Sequence, residues 1–73
     1  MSNRQALIQV LRQMGKQSEQ IKNYNFRHYF IRRTTDKLQS VEAMADHEVD
    51  QSHSDLMVKY NEELSQLHRI AAV

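Results

Sequence analysis

Four histidines, His28, His47, His53 and His68, have the widest chemical range of any side chains in this 73-residue chain. An imidazole titrates near neutrality and ligates metals. His47 and His53 stand in an acidic stretch with Asp46, Glu48, Asp50 and Asp55. A structural zinc site needs about four ligands at tight, recurring spacings. No HExxH pattern and no histidine pair at i, i+4 is present. These groups therefore read as solvated polar residues, with no metal bound. The chain has no cysteine, which excludes disulfides and thiolate metal sites. It also lacks a nucleophile motif, a glycine-rich phosphate loop and a dinucleotide fingerprint. The sequence reads as a non-enzyme with no cofactor of its own.

The second concentration of chemistry is NYNFRHYFIRR, residues 23 to 33. It holds Tyr24, Phe26, Tyr29 and Phe30, four of the five aromatics in the chain, beside Arg27, Arg32 and Arg33. That mixture suits a nucleic-acid surface, a membrane face or a helix that wraps around a ligand. Charge is unevenly spread along the chain. Residues 1–39 carry eight Lys/Arg and two acids, whereas residues 40–73 carry two Lys/Arg and seven acids. The split predicts either an acidic partner for the basic half or neutralisation of one half by the other on folding.

The elements that must position these residues are helices. One Gly and no Pro leave little chemistry for tight turns. Gln, Arg, Glu, Leu, Met and Ala, all good helix formers, are plentiful. Ser2 with Gln5 reads as a capping box that opens a first helix over about 3–20. Leu7, Ile8, Val10, Leu11, Met14 and Ile21 share one arc at 100° per residue, with Gly15 and Ser18 on the same face. Small residues there allow a close helix approach or leave a channel. Within it SNRQALIQVLRQMGKQ, residues 2–17, is basic, amphipathic and free of acids, so it reads equally as a mitochondrial presequence.

Asn23 or Asn25 offers an N-cap for a second helix over about 25–39. Phe26, Phe30, Thr34 and Leu38 form its apolar ridge, with Ile31 beside them. Arg27 projects into that arc and needs an anion or hydrogen-bond partner there. Arg32 points away, and Arg33 and Lys37 flank the aromatics. Residues 40–53 are acidic and weakly periodic, and read as a connector with a helical turn at 41–46. Ser52 with Asp55 suggests a cap for a third helix over about 53–71, where Met57, Tyr60, Leu64, Leu67 and Ala71 repeat at 3-4-3-4 spacing. The fold expected is all-α, one domain over 1–73, an antiparallel three-helix bundle. A chain this short buries only about 60% of its unfolded surface, so a partner or ligand is expected to complete the core. No run of 18 apolar residues is present to span a membrane.

NYNFRHYFIRRTTDKL resembles the start of the second helix in the LYR-motif family, and within it the adaptors of the mitochondrial cysteine desulfurase. Tyr24, Asn25, Phe26, Arg27, Tyr29, Arg32 and Arg33 match the pattern. Val10-Leu11-Arg12 stands where the L-Y-R tripeptide belongs, so the arginine is kept and Leu11 replaces the tyrosine. Leu38 stands where a Phe is frequent, and Thr35 and Gln39 replace basic residues. The resemblance implies a non-catalytic three-helix adaptor of iron–sulfur cluster assembly in the mitochondrial matrix or a related organelle. It implies two partners, a cysteine desulfurase and an acyl carrier protein whose acidic surface docks on basic residues. The carrier's acyl-4′-phosphopantetheine arm would enter the bundle.

By that carry-over, Arg12, Arg27, Arg32, Arg33 and Lys37 are the candidates for carrier and phosphopantetheine binding. By core position, Leu11, Met14, Phe30, Ile31, Leu38, Met57, Leu64 and Leu67 are the candidates to line the acyl channel. An alternative within the family is an accessory subunit or assembly factor of a respiratory complex or the mitochondrial ribosome. A third reading is a small RNA-binding helical module. It is disfavoured by a pI near 8.1 and by Phe26 and Phe30 falling on the packing face.

Overall fold

The computed structural model describes residues 2–72 as three helices, α1 (Asn3–Glu19), α2 (Tyr24–Ala43) and α3 (Asp46–Ala72). They form an elongated three-helix bundle of 38 × 18 × 17 Å. The local start signals act as the sequence predicts. The Ser2 hydroxyl accepts from the Gln5 N–H at 3.2 Å, and the Gln5 side chain accepts from the Ser2 N–H at 3.4 Å, closing the capping box. Of the two asparagines before α2, Asn23 is the cap, accepting from the Phe26 N–H at 3.2 Å. The segment that reads as presequence or first helix is α1, and it supplies Leu7, Leu11 and Met14 to the core.

α1 is the central element. It packs on both α2 and α3, while α2 and α3 touch each other little. The topology follows from which residues meet. Arg4 reaches the carbonyls of Val41 and Met44, whereas Gly15 faces Thr34, so α1 and α2 run antiparallel. Asn3 bonds Asp50, while Met14 shares a groove with Leu67, so α1 and α3 run parallel. The core is a single apolar column of Leu7, Leu11, Met14, Ile21, Val41, Val49, Tyr60 and Leu67. Ile8, Phe30, Leu38, Leu56, Met57 and Leu64 pack around it. Two polar residues lie inside. Ser18 and Thr34 satisfy their hydroxyls on the carbonyls one turn earlier, Met14 at 2.7 Å and Phe30 at 2.8 Å.

The structure corrects the expected connector. α2 runs four residues past 39, and α3 begins at Asp46 rather than near 53, so Ser52 lies inside a helix. The turn between them is only Met44 and Ala45. Two buried valines, Val41 and Val49, hold this stretch helical by anchoring it on α1. Asp46 and Glu48 in the first turn of α3 complement the helix dipole.

A second correction concerns Phe26, expected on the packing face and in fact 57% exposed. It sits in the first turn of α2 at the end of the bundle, beside Ile21 and the Ile70 side chain of α3, which together leave its ring open to solvent. Ile31 also lies outside, with 36% exposure, on the flank of α2 away from α3.

Candidate functional site

Because α2 and α3 diverge over α1, a groove of about 190 Å³ opens between them. Its floor is apolar, with Met14 from α1, Phe30 and Thr34 from α2, and Leu67 from α3. Its rim is polar and partly charged, with Tyr29, Arg33 and Lys37 on the α2 side and Glu63 and Gln66 on the α3 side. Helical spacing explains the division. Phe30, Arg33, Thr34 and Lys37 recur at intervals of three and four and so share one side of α2. Tyr60, Glu63, Leu64 and Leu67 do the same on α3.

The rim carries the principal bridges between α2 and α3. Lys37 Nζ donates to Glu63 Oε2, and Arg33 Nη2 lies 4.0 Å from Glu63 Oε1. Lys37 also sits over the Tyr60 ring, 5.7 Å from its centroid. Arg33 is braced by Tyr29, whose hydroxyl accepts from Nη1 at 2.8 Å while its ring lies 5.6 Å from the guanidinium carbon. Burial pushes the Lys37 ammonium below its ordinary value, with the like charges of Arg33 and Lys59 adding to the effect. Burial pushes the Tyr60 phenol above its ordinary value.

The residues singled out from sequence are distributed over this frame. Arg33 and Lys37 stand at the groove. Arg32 lies on the outer face of α2, in a depression with Tyr24, Asn25, His28 and Asp36 that Tyr29 and Arg33 border from the groove side. Arg27 is half-buried in the apolar arc as expected, and its partner is the Ile21 carbonyl at the α1–α2 turn, 3.2 Å away, with the Tyr24 ring stacked at 5.6 Å. Arg12 is exposed on α1, about 60° around the helix from Gly15, which marks the side facing α2.

Of the channel candidates, Met14, Phe30 and Leu67 meet in the groove. Leu11 is fully buried in the column, and Leu38, Met57 and Leu64 pack against that column away from the groove lining. Ile31 is on the other flank of α2 from Phe30 and does not join them. Among the described residues no group of three or more His, Asp and Glu side chains converges.

Two residues escaped the sequence reading. Glu63 holds both rim cations. Its signal was an acid only 60° from Tyr60 on the apolar seam of α3. Arg4 donates to the carbonyls of Val41 (2.8 Å), Glu42 (3.1 Å) and Met44 (2.7 Å), and to Asp46 Oδ1 (2.8 Å). No spacing in the sequence signals that arrangement, since its partners are mostly backbone atoms about forty residues away.

An apolar-floored groove with a cationic rim suits an anionic head attached to an apolar tail. The whole chain, residues 1–73, matches the ISD11 family. The chain belongs to that family. The ISD11 family is the LYR adaptor of the cysteine desulfurase, so the resemblance carried by residues 10–12 and 23–38 extends along the full chain. A role as a desulfurase adaptor, with a desulfurase-associated partner, follows at the family level. No curated protein and no solved structure matches the chain. No helix among the described residues is long and apolar enough to cross a membrane.

Proposed function

We propose that this ISD11-family chain is a non-catalytic adaptor that binds and stabilises a cysteine desulfurase together with an acylated acyl carrier protein, in mitochondrial iron–sulfur cluster assembly. The observation that carries the reading is the groove between α2 and α3. It presents Met14, Phe30 and Leu67 below Arg33 and Lys37. That order of chemistry matches an acyl chain led in by a phosphate. Arginine fits phosphate through paired N–H donors, and each methylene buried beneath it contributes about 0.8 kcal/mol.

Arg33 and Lys37 would meet the phosphopantetheine phosphate at the rim. Arg12, Arg27 and Arg32 lie outside the groove and would form the wider basic surface that receives the acidic carrier. Leu11, Leu38, Met57 and Leu64 would repack along the tail as it penetrates the column. The family match favours this reading over a respiratory-complex or ribosomal accessory subunit. The RNA-binding alternative loses one argument against it, since Phe26 is exposed, but the groove gives the rim cations an apolar floor that a base-stacking platform does not need.

The test is the affinity of the chain for acylated carrier protein after charge reversal. Arg33→Glu is expected to weaken binding strongly, and Arg12→Glu to weaken it less. Unchanged affinity in both variants, with the fold intact, refutes the docking surface.

A further inference from the structure

We propose that Glu63 is a latch residue. It holds Arg33 and Lys37 in the unliganded chain, bridges α2 to α3, and keeps the groove narrow until an anionic headgroup displaces its carboxylate. The inference rests on the acyl-arm reading above and adds its regulation.

Three observations converge on it. First, α2 and α3 touch each other little, so the Lys37–Glu63 pair and the weaker Arg33–Glu63 pair are the main polar ties between them. Second, those ties cross the groove itself, because Arg33, Lys37 and Glu63 all line it. Third, the groove is too small as it stands. Its volume of about 190 Å³ is close to the ~150 Å³ of a cavity that holds benzene, and below the roughly 300–1,000 Å³ of ordinary ligand pockets. A long acyl chain needs more room than this, and the polar ties that hold α2 and α3 together across the groove are the Glu63 bridge.

The same two cations serve both states. With Glu63 they hold the groove narrow; with a phosphate they are satisfied from outside, and Glu63 is released to solvent. The arriving headgroup therefore opens the space its own tail needs. No covalent step is involved.

The experiment measures the affinity of the full-length chain for a purified carrier protein bearing an acylated phosphopantetheine. The comparison is wild type, Glu63→Gln, and Glu62→Gln as a control for net charge. Glu62 is exposed, has no ion-pair partner among the described residues, and loses the same charge. Removing the competing carboxylate is expected to tighten binding about tenfold, the scale of a close charge pair at an interface; Glu62→Gln is expected to change it less than twofold.

A second measurement uses the absence of cysteine in the chain. Spin labels at Gln39→Cys on α2 and Val58→Cys on α3, both exposed positions, report the helix separation. The separation is expected to lengthen with acylated carrier and not with carrier lacking the phosphopantetheine arm. Equal effects of the two glutamate variants, or an unchanged separation on binding, overturns the latch while leaving the adaptor reading standing. Wild-type protein that fails to bind acylated carrier overturns both.

Discussion

Replacing Arg4 with alanine should cost the bundle more than any other single surface substitution, although Arg4 touches no groove residue. Its guanidinium closes the end of the molecule where α2 turns into α3. Helix C-termini leave four carbonyls without intrahelical partners, and α2 has neither a glycine cap nor a basic residue in its last turn. Arg4 supplies the missing donors from α1, to Val41, Glu42 and Met44.

The bonds to Val41 and Met44 are partly buried. Charged hydrogen bonds are worth about 1.5–3 kcal/mol each when sheltered. The Arg4 side chain is 25% exposed, which places these two near the lower bound. The Glu42 carbonyl is exposed and can be rehydrated. Asp46, at 96% exposure, adds little. The expected loss for Arg4→Ala is about 3 kcal/mol, or roughly 12–24 °C in Tm for a domain of this size. Urea unfolding followed by circular dichroism measures it. Arg4→Lys should recover less than half, because an ammonium cannot span three carbonyls. Asp46→Asn should lie within about 0.5 kcal/mol of wild type. A loss below about 1 kcal/mol for Arg4→Ala, or an equal loss for Asp46→Asn, refutes the assignment of the cap to the carbonyls.

Two further predictions concern the interior. A Cβ on Gly15 would meet Thr34 Cγ2 at 3.9 Å, an ordinary contact, so Gly15→Ala should raise stability by about 0.5–1 kcal/mol through helix propensity; a fall in Tm would show that α1 and α2 need the glycine for close approach. Tyr60 is 5% exposed and its phenol is held above the ordinary value of 10.0 by burial. A raised folded-state value means that its contribution is present below pH 10 and is lost as pH rises through the folded value. Wild type should therefore lose stability relative to Tyr60→Phe in alkaline titration. The opposing relief at Lys37, whose value is lowered, is present in both proteins and largely cancels. Parallel curves would contradict the burial of the phenol.

What the sequence revealed and what it hid divide along physical lines. Caps are local, so Ser2 with Gln5 and Asn23 were legible from a few residues. The stripe of α1 was legible because Leu7, Leu11 and Met14 face one column. The start of α3 was not, because Val49 is the only large apolar residue between Met44 and Leu56 and one point defines no period. Phe26 was misplaced because helical projection gives a direction but cannot say where the neighbouring helix ends. The basic character of the groove was legible in Arg33 and Lys37. The carboxylate that holds them was not, since Glu63 is one of seven acids in its half of the chain and only the register of α3 against α2 selects it. The arginines looked like one cluster in sequence because they fall within seven residues, yet the helix turns Arg27 into the apolar arc, Arg32 to the outer face, and Arg33 to the edge between that face and the groove.

The central claim is that this chain is an adaptor joining a desulfurase to an acylated carrier. The most direct measurement is native and denaturing intact mass of the complex that co-purifies with the tagged chain expressed from its own cell. The account predicts a desulfurase and a small acidic protein whose mass exceeds its polypeptide by an acylated phosphopantetheine. Recovery of a respiratory-chain or ribosomal subunit without a desulfurase, or of a carrier with no acyl group, would contradict it.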